Sequence, residues 1–257
     1  MARLALDDAA WSSHWRGRST AEKALLSIGL LLVAVTSPAP WVSLLILGTA
    51  MTIAIALARV PARGYLLALL APASFVIIGS AVIAVHIGTP PPDAVWSWGP
   101  FSATTQSLLL AAQVTTRSMA AFSALLLLAS TTPMSDILTG LRRLRVPEVL
   151  IDIASLIYRL LFALLGAAST IMEAQRARLG YSSGRAARRS VGALGGAVLM
   201  QAWGRARRLE EGLAGRGYTG SLRTLSAARP VSVWFVVAAV ILLAALVTVS
   251  VLARFMR

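Results

Sequence analysis

Apolar residues fall along this chain in long runs rather than in strict alternation. Crossing the hydrocarbon core of a bilayer takes roughly 20 mostly apolar residues as a helix. Five stretches meet that need: Lys23 to Thr36, Trp41 to Ala58, Tyr65 to Ile87, Thr105 to Ala129 and Val231 to Ala253. The first is short unless Thr20 and Ala21 extend it. Between them stand helix-breaking residues: Ser37-Pro38-Ala39-Pro40, Pro61 with Gly64, and Thr89-Pro90-Pro91-Pro92. Val149 to Ile171 reads differently. Asp152, Ser155 and Arg159, then Gly166, Ser169 or Thr170, and Glu173, recur at helical spacing along one face. An isolated span would not turn Asp152 and Arg159 toward lipid, so this is a long amphipathic helix with a wet face, lying near the membrane surface or beneath the bundle. A shorter helix, Met134 to Leu144, precedes it, capped by Ser135 or Thr132 and ended by Val146-Pro147. A second long helix follows, about Arg185 to Gly215. Its Gly192 and Gly196 are spaced to let two helix backbones approach, and the two long helices are expected to cross there.

Composition agrees with this pattern. Of the 257 residues 57% are apolar and 13% charged, against about a quarter charged in soluble domains, and mean hydropathy is +0.75. The net charge is nevertheless +14, and there is no Cys. A soluble enzyme, a secreted disulfide scaffold and a disordered tail are excluded. The expected fold class is an all-α polytopic membrane protein, with about five transmembrane helices plus long crossed amphipathic helices on the cytoplasmic side. Asp7, Asp8, Trp11 and His14 precede the first apolar run and no cleavage pattern follows it, so that span is expected to be retained.

Basic residues set the orientation. The N-terminal tail carries Arg3, Arg16, Arg18 and Lys23, and the second loop Arg59 and Arg63, whereas the first loop is uncharged and the third has only Asp93. Tail and second loop are therefore cytoplasmic, and fifteen arginines cluster between Thr131 and Pro230 on that same side. Arg254 and Arg257 fall outside and depart from the rule. The expected division is residues 1–22 as a cytoplasmic segment, 23–130 as four spans, 131–230 as a cytoplasmic helical domain and 231–257 as the last span and C-terminus.

The two long helices end alike. One finishes Glu173-Ala174-Gln175-Arg176-Ala177-Arg178-Leu179-Gly180-Tyr181-Ser182, the other Glu211-Gly212-Leu213-Ala214-Gly215-Arg216-Gly217-Tyr218-Thr219. In each, Glu is followed four residues on by Ala or Gly, then Arg, then Gly-Tyr-Ser/Thr, with Leu179 as one extra residue in the first copy. Gly permits the left-handed turn that stops a helix. Arg complements the negative end of the helix dipole, and its planar fork can also grip a carboxylate. These are either plain helix caps or two like tips for a partner with two equivalent sockets.

At these residues the chain resembles the transmembrane T component of energy-coupling factor (ECF) importers, of the cobalt/nickel type called CbiQ. The likeness covers nearly the whole chain, including the stretch up to Lys23, Thr131-Thr132-Pro133, Leu144-Arg145-Val146-Pro147, Gln175-Arg176-Ala177-Arg178 and Gly215-Arg216-Gly217-Tyr218. That family is marked by two short Ala-Arg-Gly-type motifs on crossed cytoplasmic coupling helices, each docking into one of two ATPase subunits. Carried over, the ATPase-binding residues are Ala177, Arg178, Leu179 with Gly180, and Gly215, Arg216, Gly217. They depart from the plain form at Leu179 and at Gly215. The resemblance implies a multi-pass scaffold in a prokaryotic cell membrane, coupling ATP hydrolysis by two identical or homologous ATPases to movement of a substrate-binding membrane S component. Cobalt, or nickel, is the implied cargo. ATP and Mg²⁺ belong to the ATPases, and no nucleic acid is involved.

The residues support the negative half of this reading. No G-x-x-x-x-G-K-[ST] loop occurs, and Lys23 is the only Lys, so this chain itself should be no enzyme and hold no cofactor. His14 and His86 are the only His, too few for a metal site of its own, and His86 reads as a core or interface residue. Arg117 lies midway along the fourth span, one turn from Gln113. A charge at that depth must face protein or water. It is either a structural Arg bonded to backbone carbonyls or to Gln113, or part of a transport path. Two other functions remain open: a membrane insertase whose basic helices meet a ribosome, and a self-sufficient cation permease. Both leave the matched helix ends unexplained, and the permease lacks Asp or Glu in the spans.

Overall fold

The computed structural model describes residues 5–88, 94–98, 101–217 and 229–255. It is α-helical apart from one small sheet, and the described residues divide into two compact units, one from residues before 134 together with 229–255, the other from 134–217.

In the first unit, α1 (Ala5–Ser12) and a 3₁₀ turn (His14–Gly17) lead into α2 (Thr20–Thr36), α3 (Pro40–Thr52), α4 (Ala62–Ala84), α5 (Thr105–Thr131) and α9 (Val233–Phe255). α5 is the axis of this bundle, packed against α1, α2, α3 and α4, while α9 lies against α2. Its small and aliphatic residues Ala120, Ala124, Leu126 and Leu127 are buried with Leu30, Ala34, Ile46 and Ala50 of α2 and α3. Gly29 permits the approach of α9, since a Cβ there would overlap the Leu243 side chain. The opposite faces expose Leu70, Phe75 and Ile78 of α4 and Trp234 and Ile241 of α9, the distribution expected where the solvent is lipid.

Long-range hydrogen bonds give the helices their register. Tyr65 of α4 donates from its hydroxyl to the Ser123 carbonyl at 2.8 Å, and Ser107 of α5 donates to the Ala84 carbonyl at 2.9 Å. Lys23 of α2 donates to the Thr131 carbonyl of α5 at 2.8 Å, and at the far end of α2 Gln113 donates to the Pro38 carbonyl at 2.9 Å. The α2–α3 turn therefore stands level with Gln113 and Arg117, and the N-terminal part of α5, from Arg117 back to Thr105, extends beyond it for about 18 Å at 1.5 Å per residue.

Several expected boundaries change. α3 continues as a π-helical turn, Ile53–Leu57, closed by the Ala58 N–H on the Ile53 carbonyl. α4 ends at Ala84, three residues before Ile87, because His86 and Ile87 form β1. β1 pairs antiparallel with β3 (Phe101–Thr104), which also pairs with β2 (Ala94–Trp98). Among the described residues five helices are long and apolar enough to cross a membrane, with the fourth of them Glu148–Ala177. α2, at 17 residues, is one residue short of that group, at the lower limit for a span.

The second unit comprises α6 (Met134–Arg143), α7 (Glu148–Ala177) and α8 (Gly184–Ala214). Thr132 does not cap α6, for its hydroxyl oxygen has no hydrogen-bond partner. α6 stops where Arg145 takes a left-handed backbone, φ 61°. Asp152, expected on a wet face, is instead buried at 4% exposure, where Arg142 of α6 donates to it at 3.3 Å. α7 and α8 run in opposite directions. Ile153, Ile157 and Leu160 near the start of α7 line one apolar groove with Leu209 and Leu213 near the end of α8, and Gln175 at the end of α7 bonds to Ser190 near the start of α8. Gly192 and Gly196 are not where the helices meet, since a Cβ built at either touches nothing within 4 Å.

Removing the buried carboxylate in Asp152→Ala should loosen α6 from α7. The expected cost is about 1–3 kcal/mol, less than for a fully buried pair because Arg142 still reaches water. Faster proteolysis at the Arg145–Pro147 connection is the readout, and an unchanged rate would deny the ion pair that role.

Candidate functional site: two arginine-tipped helix ends

Each long helix of the second unit ends on an arginine followed at once by a left-handed residue. At α7 the Arg178 N–H bonds to the Ala174 carbonyl at 3.3 Å. The chain then turns at Leu179, φ 56°. The Leu179 N–H returns to the Arg176 carbonyl at 3.0 Å and the Gly180 N–H to the Gln175 carbonyl at 2.8 Å. This paired closure satisfies carbonyls that a helix leaves unbonded at its end. At α8 the Gly215 N–H bonds to the Glu211 carbonyl at 3.0 Å and the Gly217 N–H to the Ala214 carbonyl at 3.1 Å. There the left-handed residue is Gly217, φ 69°.

This corrects the expected role of Gly180. The left-handed turn of the first copy belongs to Leu179, which matches Gly217 by position after the arginine. Ala177-Arg178-Leu179 and Gly215-Arg216-Gly217 thus align without a gap. A left-handed backbone costs an L-residue with a Cβ roughly 1–2 kcal/mol, and Leu179 holds it while its side chain is 74% exposed. Gly180 is required for space instead. A Cβ there would lie 2.6 Å from the Ser190 Oγ and 2.9 Å from the Gln175 carbonyl oxygen.

A small clamp holds the first tip. Ser190 donates to the Gly180 carbonyl at 2.8 Å, Gln175 donates from Nε2 to the Ser190 carbonyl at 3.0 Å, and the Tyr181 hydroxyl donates to the Gln175 Oε1 at 2.8 Å. Ser190 escaped sequence reasoning because nothing in Arg188-Arg189-Ser190 marks which loop it faces. The Arg178 guanidinium makes no hydrogen bond or ion pair among the described residues, leaving its fork free. Arg216 folds back along its own helix, donating to the Gly212 carbonyl at 3.2 Å, in the dipole-complementing position. Both arginines are exposed. Tyr218 and Thr219, which complete the second copy in sequence, lie outside the described residues. Because α7 and α8 are antiparallel, the two tips stand at opposite ends of the pair, about 45 Å apart for helices of this length.

In the bundle, Arg117 donates from Nη2 to the Ser37 carbonyl, beside the bond from Gln113 to Pro38. Those carbonyls belong to the C-cap residue of α2 and the residue after it, so the guanidinium lies near the negative end of a helix dipole. Among the described residues no group of three or more His, Cys, Asp and Glu is placed to hold a metal ion.

Membrane-length apolar helices, a long apolar helix paired with an arginine-rich one, and two like arginine tips define a multi-pass membrane component. Residues 12–226 match the CbiQ cobalt transport protein family, and the chain belongs to that family. It is similar to the cobalt transport protein CbiQ of Rhodobacter capsulatus, 39% identical over 226 residues that cover 88% of this chain and 89% of that one. It is also similar to a putative fused cobalt transport protein CbiMQ of Methanocorpusculum labreanum, 32% identical over 84% of this chain and 37% of the longer protein. The CbiQ of Salmonella typhimurium is 28% identical over 76% of this chain and 88% of its own length. The protein is a membrane component of a cobalt transport family.

Leu179→Gly should stabilise the α7 end by about 1 kcal/mol, by removing the strain of a left-handed Leu. Gly180→Ala should destabilise the same turn by about 1–3 kcal/mol, through the clash with Ser190 and Gln175. Amide hydrogen exchange at Gly180 reads both, with slower exchange expected in the first variant and faster in the second; the reverse order would refute the geometry.

Proposed function

We propose that this chain is the scaffold subunit of an ATP-driven importer of cobalt, or of nickel. It couples hydrolysis by two partner ATPases, which hold the ATP and Mg²⁺, to movement of a substrate-binding membrane subunit. The observation that carries this reading is the pair of exposed Arg–left-handed tips at opposite ends of α7 and α8. Two like plugs call for two like sockets, and Ala177, Arg178, Leu179 and Gly180 fill one while Gly215, Arg216 and Gly217 fill the other. The small residue before each arginine leaves room for the helix end to enter a groove, and the arginine's fork can engage a carboxylate there.

Residues 134–227 lie on the cytoplasmic side in this reading. α7 has the length and apolarity of a span, but it is paired with α8, which carries Arg185, Arg188, Arg189, Arg205, Arg207 and Arg208. Each arginine at the centre of a bilayer costs at least roughly 2.5–3.5 kcal/mol, which argues against the pair lying in the hydrocarbon core. Near an anionic inner leaflet each instead gains about 1 kcal/mol, which supports a position under the membrane within reach of soluble ATPases. The joining of two cobalt transport components in the name of the fused CbiMQ relative supports a membrane partner for this chain, and that partner is the natural holder of the cation.

Replacing both arginines, Arg178→Glu with Arg216→Glu, reverses the charge of both plugs. Loss of one buried arginine anchor costs about 2 kcal/mol or more, or about 30-fold in affinity. The double variant should remain in the membrane and lose its co-purifying ATPases. Undiminished recovery of the ATPases would refute the assignment.

A further inference from the structure

The second unit is an insertion in the bundle: the chain leaves after α5 and returns before α9. Both connections are held by two consecutive residues of α2. The Lys23 ammonium donates to the carbonyl of Thr131, the last residue of α5, at 2.8 Å. Glu22 accepts, through Oε1, the backbone N–H of Ser232, the residue just before α9. Each charge suits the helix end it meets. A cation sits on the carbonyl-bearing end of α5, and an anion sits on the N–H-bearing end of α9. Glu22 and Lys23 are only 2% and 1% exposed. Arg18 stands 3.9 Å from the other oxygen of Glu22, and its guanidinium lies over the ring of Phe235 in α9's first turn. Phe235 in turn meets buried Trp15 edge-on at 5.2 Å.

A hydrophobic contact would hold three helix ends together at less desolvation cost than buried charges, and replacing buried ion pairs by apolar residues is often neutral or stabilising. What apolar packing cannot do is fix two particular backbone atoms to one point. We propose that Glu22 and Lys23 are positioning residues of the transport cycle. They tie both connections of the inserted unit to the first turns of α2, so that displacement of that unit by the ATPases reaches the bundle through α2. This rests on the ATP-coupled reading above. The pull is then delivered to α2, and through Gly29 and the Ser37–Pro38 turn to α9 and α5, as one movement rather than as two independent ones.

The test uses the whole transporter, co-expressed with its ATPases and membrane partner, and reads radioactive Co²⁺ uptake per ATP hydrolysed. In Lys23→Met and Glu22→Gln the chain should stay in the membrane with its ATPases bound and hydrolysing. Uptake per ATP should fall at least about tenfold, the scale of losing a charge-assisted hydrogen bond. Lys23→Arg should restore it, and Ser232→Pro, which removes the N–H that Glu22 accepts, should reproduce the loss. Uptake per ATP unchanged in these variants overturns the proposal. So does loss of the chain or its ATPases in step with uptake, which marks a merely structural clasp. If the unaltered transporter shows no ATP-dependent uptake, the coupled reading itself fails and this inference with it.

Discussion

Every helix leaves its last carbonyls without intrahelical partners, and where water is scarce side chains or a tight turn must supply the missing donors. Several polar residues of this chain perform that task. Lys23 serves the end of α5, and Arg117 and Gln113 serve the end of α2. Arg216 serves the end of α8, and the backbone of Leu179 and Gly180 closes α7. The side chains that look anomalous in an apolar sequence are thus the ones that let its helices stop at chosen heights. Arg117 is the clearest case, since its fork allows the α2–α3 turn to end well short of the full height of α5.

Helix existence was legible in the residues because it depends on local pattern, and each of the expected apolar runs forms a helix. Partner choice was less legible because it depends on what the chain brings close from far away. Asp152 has the spacing of a solvated stripe, yet α6 folds over it and supplies Arg142. Gly192 and Gly196 have the spacing of a close crossing, yet nothing lies near them. The short strands at His86 and Phe101 carry too few residues for an alternation to show. α2 is a bundle helix just short of span length, and α7 is a span-length helix paired with an arginine-rich neighbour.

At the candidate site the repeat itself was visible in the sequence, while its alignment was not. Counting from the glycines makes Leu179 an insertion; counting from the arginines makes it the equivalent of Gly217. The backbone decides for the second, since both residues are left-handed. The clamp of Gln175, Tyr181 and Ser190 around Gly180 has no counterpart among the described residues of the second tip. The first tip is held rigid with its guanidinium free, and the second is held by its own guanidinium.

Antiparallel rods that carry the same chemistry at each C-terminus are related by an approximate two-fold rotation about an axis perpendicular to both. A pair of identical subunits has such an axis of its own. A partner with such an axis, aligned with that of the rods, meets one repeated surface twice. The contrast between Leu179 and Gly217 then becomes a built-in asymmetry that distinguishes one end of the pair from the other.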